Sequence, residues 1–271
     1  SLDILNEIKN LKVINENELK NIDNNEIYEI AKNSLIREKI KEIELLKNVE
    51  KIEIDEDFLN KFILNYFKSR NIDSKLEFEN FFNNIGLEPN NIRKKITVEI
   101  MWNQLIYQKF FKNVKINKDL IVKEISKSKL INEYLLSEIV FSLDKSENLN
   151  EKFEKIKKNI TDSSFSKAAL LFSVSSTAND GGKLGWIKET ALNSKIKKEI
   201  KMLNIGEFTK PIIIPGGFLI LKINNKKETT IENDNEKEFD LIVKKKTNDQ
   251  LNQFSNIYFN KIKKNIQINE L

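Results

Sequence analysis

Apolar positions recur every three or four residues through most of the first 131 residues, with little punctuation between them. Ile4, Leu5, Ile8 and Leu11 form a first stripe, and Ile27, Ile30, Ala31, Leu35, Ile36, Ile40 and Ile43 a longer second one. That spacing lines one face of an α-helix. Asp55 is placed to cap a third helix carrying Phe58, Leu59, Phe62, Ile63, Tyr66 and Phe67. Ser74 and Glu77 have the S-x-x-E spacing of a capping box ahead of Phe78, Phe81 and Phe82, and Gly86 ends that helix. Pro89 stands where a first-turn proline belongs, opening a helix through Ile92, Ile96, Ile100, Trp102 and Phe110. Asn117 opens one more, with Leu120, Ile121 and Ile125. These stripes predict a helical core, with part of the Phe-rich surface available as a binding cleft.

Near residue 132 the pattern changes. LLSEIVFSL at 135–143 is rich in aliphatics without helical spacing and predicts a strand. Helical patterns follow at about 148–160 and 164–173. Six of the seven glycines and two of the three prolines then fall between Gly181 and Gly217, which predicts tight, specified turns between short elements. Ile196, Ile200 and Leu203 mark a helix that Gly206 ends, and KPIII and GFLILKI read as strands. The predicted order is β-α-α-β-α-β-β. Residues 224–236 (NNKKETTIENDNE) read as a polar linker, Lys237 to Asn265 as a long helix, and the tail IQINEL as a short strand. A lone helix cannot bury its own stripe, so the last one is expected to pack back on the N-terminal helices. The expected fold is α+β: a mainly helical domain over 1–131, completed by 232–271, with a module at 132–231 inserted in it.

Composition narrows the chemistry. Forty-six basic and 41 acidic side chains leave a net charge of only +5. They alternate without an aromatic-basic platform, so no nucleic-acid partner is expected. The chain has no Cys and no His. That excludes disulfides, thiolate nucleophiles, imidazole bases and the commonest metal ligands, and no cofactor or metal is expected. No run of 18 apolar residues exists to span a membrane. The chain begins at Ser1 without an initiator Met and shows no leader, which suits a processed protein.

Four pieces in order, LSEIVFS, FSKAALLFSVSS, GGKLGWI and LNIGEFTKPIIIPGGFLILKI, are spread across the stretch from Leu135 to Ile223. This stretch resembles the parvulin family of peptidyl-prolyl isomerases. The flanking helices and the returning C-terminal helix resemble the SurA-like periplasmic chaperones of outer-membrane proteins. The resemblance implies an apolar proline pocket at Leu184, Leu192 and Ile196, with Phe218 beside it. It also implies a polar cluster, and here the chain departs from the pattern. The family's two histidine positions are Glu138 and Leu219, its Cys-or-Asp position is Ser175, and a hydroxyl-bearing position is Ile214. Leu219 offers no hydrogen bond, and a carboxylate cannot reproduce an imidazole's paired donor and acceptor. No residue is therefore assigned as catalytic. Glu138 is expected either at a solvated strand edge or in a different polar site.

Three functions stay open from the sequence. The first is a periplasmic holdase for unfolded or extended polypeptides, outer-membrane proteins among them, with a weak or inactive module. The second is an active isomerase using a non-histidine site, since rotation about a peptide bond needs no proton transfer. The third is a scaffold without a client. An extracellular lipoprotein foldase would carry a lipidated Cys, which this chain lacks.

Overall fold

The computed structural model describes residues 2–19, 22–127, 130–144, 147–230 and 235–266. Contacts divide the chain into two compact units, residues 1–109 with 261–271, and residues 110–260. The compositional change near residue 131 falls inside the second unit. No helix among the described residues is long and apolar enough to cross a membrane.

The first unit is helical. Its elements are α1 (Leu2–Ile14), α2 (Glu16–Leu19), α3 (Asn24–Leu45), α4 (Glu56–Phe67), α5 (Lys75–Asn84) and most of α6 (Pro89–Phe110). The caps form as the side chains dictate. Asp55 accepts the Phe58 N–H at 2.8 Å, and Ser74 accepts the Glu77 N–H at 3.2 Å. Glu77 reaches back to the Asp73 N–H at 2.8 Å, one residue earlier than in a standard capping box. Phe67, Phe78 and Phe82 meet in an aromatic core with ring centroids 4.8–5.6 Å apart. Charges also tie the helices. Glu7 of α1, only 3% exposed, accepts the Ser34 hydroxyl of α3 at 2.6 Å and pairs with Lys95 of α6. Burial pulls the nearby Arg37 guanidinium down to about 10, against the pull of Glu99 and Glu7.

The second unit holds α7 (Lys118–Lys127), β1 (Leu130–Phe141), α8 (Leu149–Asp162), α9 (Phe165–Phe172), β2 (Lys183–Lys188), α10 (Ser194–Lys201), β3 (Ile212–Ile214), β4 (Gly217–Thr230) and most of α11 (Asn235–Lys263). The strands form one antiparallel sheet in the order β2-β1-β4-β3, so the module has the predicted β-α-α-β-α-β-β sequence of elements. Side chains alternate across a strand, and the two faces carry separate cores. Leu136, Val140, Leu219, Leu221 and Ile223 share one face with Ile187 and Ile200. Ile139, Phe141 and Ile220 share the other with Ile156, Phe165, Ala168 and Ala169 of α8 and α9.

One stretch differs from the reading of the sequence. The polar residues after 223 are not a linker, because β4 continues to Thr230 and pairs with the first half of β1. Their polarity suits an exposed strand held by cross-strand charges. Lys227 lies opposite Glu133, forms an ion pair with it at 3.2 Å, and sits 4.2 Å from the Trp186 ring centroid. Residues 231–234 and residues 267–271 of the IQINEL tail lie outside the described residues. Helix α11 has partners inside this unit. Glu238 pairs with Lys188, Phe254 stacks on Phe110 with centroids 5.4 Å apart, and the Asn260 amide donates to the Gly216 carbonyl at 3.2 Å.

Candidate functional site

Glu138 lies on β1 between Leu136 and Val140, so strand alternation aims it at the face bearing the first of the two cores. Since β1 is flanked by β2 and β4, Glu138 is on an interior strand, not at a solvated sheet edge. Its backbone is held closely: the Glu138 N–H donates to the Gly182 carbonyl at 2.7 Å. Gly182 has φ +76°, and a Cβ there would sit 2.1 Å from the Glu138 carbonyl oxygen. Only glycine accommodates both demands.

A ladder of hydroxyls leads to the Glu138 carboxylate. Thr177 Oγ1 donates to Glu138 Oε1 at 2.8 Å, Ser175 Oγ lies 2.8 Å from Thr177 Oγ1, and Ser173 Oγ lies 3.0 Å from Ser175 Oγ. Each hydroxyl has one proton to give. Thr177 gives its proton to Glu138, while Ser175 lies within reach of both Thr177 and the carboxylate. Ser173 Oγ in turn accepts the Val140 N–H at 3.0 Å. The three hydroxyls thus connect the β1 backbone to the carboxylate, in a network whose bonds strengthen one another.

Burial raises the Glu138 carboxyl above the ordinary carboxylate range. The Thr177 and Ser175 hydroxyls and the Lys245 charge oppose that rise, while Asp249 adds to it. Lys245 and Asp249 are themselves an ion pair one turn apart on α11.

Glu138 opens onto a cavity of about 590 Å³ contained within the second unit. All four polar-cluster positions expected from the sequence, Glu138, Ser175, Ile214 and Leu219, line it, as do Leu184, Leu192 and Ile196. Phe218 is not brought there. It stacks on Phe141, centroids 5.5 Å apart, in the core of the opposite sheet face. The reason is the two-residue period of β4: with Leu219 facing the cavity, its neighbour must face away. The far wall comes from elements that the sequence did not connect with the site. These are Ile116, Leu120 and Ile121 around α7, and Lys245, Asp249, Gln250 and Phe254 of α11. Gln250 fastens the two together, accepting the Lys115 N–H at 2.9 Å and donating to the Lys115 carbonyl at 2.7 Å.

The geometry also adds Ser173 and Thr177 to the site. Their signal was present in FSVSST, where Ser173, Ser175 and Thr177 alternate as if along one edge of an extended segment. With no His and no Cys, the cavity can offer an apolar seat beside a fixed carboxylate acceptor, but no imidazole chemistry.

Residues 135–225 match the model of the rotamase family, the PPIC-type PPIase domain. The module is a parvulin-type rotamase domain. Beyond it, the chain is similar to chaperone SurA of Pseudomonas putida, 25% identical over 154 residues that cover 52% of this chain and 36% of that one. The chain spans less than half the length of the curated SurA relatives it matches. Among solved structures, a SurA-like chaperone of Campylobacter jejuni is 17% identical, with 100% of this chain and 94% of that chain covered at a TM-score of 0.37. The peptidylprolyl isomerase PrsA of Bacillus anthracis is 23% identical, with 87% and 98% covered and a TM-score of 0.35.

Proposed function

We propose that this chain is a folding chaperone that holds unfolded or extended polypeptide, with its rotamase module serving mainly to bind peptide. The observation that carries this reading is the cavity, in which Leu184, Leu192 and Ile196 line the same space as Glu138 and Leu219; by the resemblance to parvulins, the last two stand where that family has histidines. Such a pocket buries an aliphatic or prolyl side chain, an effect of about 1.5–3 kcal/mol per fully buried residue. Catalysis needs groups that favour the twisted amide over the planar one across a barrier of about 18–20 kcal/mol. Leu219 supplies none, and an ionised Glu138 offers only acceptor oxygens. By its likeness to SurA, the place of action is the periplasm and the clients are outer-membrane proteins.

Two measurements test this. The chain should suppress aggregation of a urea-unfolded outer-membrane β-barrel diluted into buffer. It should also accelerate cis-trans exchange of an X-Pro peptide far less than a histidine-bearing parvulin. Failure to bind or protect any unfolded client would overturn the chaperone reading. Exchange at a parvulin-like rate, lost on enlarging Leu192 or Ile196, would make the module an isomerase with a non-histidine site.

A further inference from the structure

Glu138 is the one carboxylate set among aliphatic side chains on the cavity face of β1, between Leu136 and Val140. Its position is fixed by its own backbone bond to Gly182 and by the ladder from Ser173 through Ser175 to Thr177. Because Thr177 donates to one of its oxygens, the carboxylate is presented to the cavity as an acceptor. What it accepts from is narrowed by the surroundings. The facing wall already carries Lys115, Lys245 and Lys246 alongside Asp249, so a further cation from a ligand meets like charge. Beside Glu138 the floor is apolar, built from Leu136, Val140, Leu219 and Leu221. A ligand that fits both features is a neutral chain with an apolar side chain and a nearby N–H, which describes an extended peptide.

We propose that Glu138 accepts a hydrogen bond from a backbone N–H of a bound peptide, fixing the register of an extended apolar segment whose side chain enters the Leu184, Leu192 and Ile196 pocket. This rests on the reading of the cavity as a peptide site. It adds a selection rule to that reading. Proline has no backbone N–H, so the residue aligned with Glu138 is never proline, and leucine or valine serves in the pocket as well as proline does. The site then selects extended apolar chain wherever it occurs, instead of X-Pro bonds.

The test uses the full chain and short fluorescein-labelled peptides rich in Leu and Phe with a single proline, read by fluorescence anisotropy. A set of these peptides is N-methylated at one backbone position at a time. One position should weaken binding to the wild type about tenfold, the scale of a lost charge-assisted hydrogen bond. Glu138→Met should bind the parent peptide about tenfold more weakly and should no longer distinguish that N-methylated peptide from its parent. Glu138→Gln, which keeps an acceptor oxygen, should retain the distinction. If the parent peptide binds but the N-methyl scan is flat, or Glu138→Met keeps the same sensitivity, the proposal is overturned. Tighter binding of arginine-substituted peptides that disappears in Glu138→Met would also overturn it, by making a basic side chain the true partner. Absence of any peptide binding would overturn the peptide-site reading itself. The wild-type scan stands alone if Glu138→Met does not fold.

Discussion

At the scale of single residues, Glu138 is a charge held in an aliphatic setting. Burial disfavours its ionised form, so its folded pKa lies above its value in the unfolded chain. The unfolded state therefore loses this proton first as pH rises. The contribution of Glu138 to stability is intact below the ordinary carboxylate range and is lost as pH climbs through the raised value. Glu138→Gln should accordingly be more stable than the wild type at neutral pH, with the difference fading in acid. Urea unfolding across that range reads this directly, with the charges of Lys245 and Asp249 on α11 present in both proteins. Thr177→Val removes the donor and leaves the carboxylate short of its partner. A loss of about 1–3 kcal/mol is expected in the same assay. The sequence left Glu138 between a solvated strand edge and a polar site, and only the pairing of β1 with both β2 and β4, which no local pattern shows, excludes the edge. Phe218 was assigned to the wrong face by one residue, which in a strand is the whole difference between the two cores.

At the scale of elements, caps and turns followed their side chains closely. Asp55, Ser74 and Pro89 open helices where their chemistry says they should. Composition misled only where strand pairing, not burial, sets the conformation. Residues 224–230 read as linker because nothing in them is apolar, yet β1 lies alongside to pair with them. The turn before β2 is stricter. Gly182→Ala places a side chain at positive φ against the Glu138 carbonyl oxygen. The backbone conformation alone costs about 1–3 kcal/mol, and thermal unfolding should show at least that loss. In the helical unit, Glu7→Ala removes the carboxylate that accepts the Ser34 hydroxyl and leaves Lys95 paired with Glu38 alone. Losing a buried hydrogen-bonding partner of this kind costs about 1–3 kcal/mol, and chemical denaturation should register it.

At the scale of the whole molecule, the far wall of the cavity had no local signature. Gln250 and Lys115 are 135 residues apart in the chain, and nothing in either neighbourhood names the other. Helical periodicity shows that α11 has an apolar stripe, but it does not say what that stripe will meet. Gln250→Ala removes both bonds to the Lys115 backbone. The amides of residues 245–256 and of 115–117 should then exchange hydrogen faster while the central strands β1 and β4 keep their protection.

The wall that α11 contributes also has a consequence in time. The floor of the groove is made from residues 136–221, but its wall includes residues 245–256, which follow the module in the chain. During synthesis the module can therefore fold, with its pocket open on that side, before α11 exists. The groove is finished only when α11 has emerged, so a nascent copy that still lacks it cannot hold a client there on the terms available once the wall is in place.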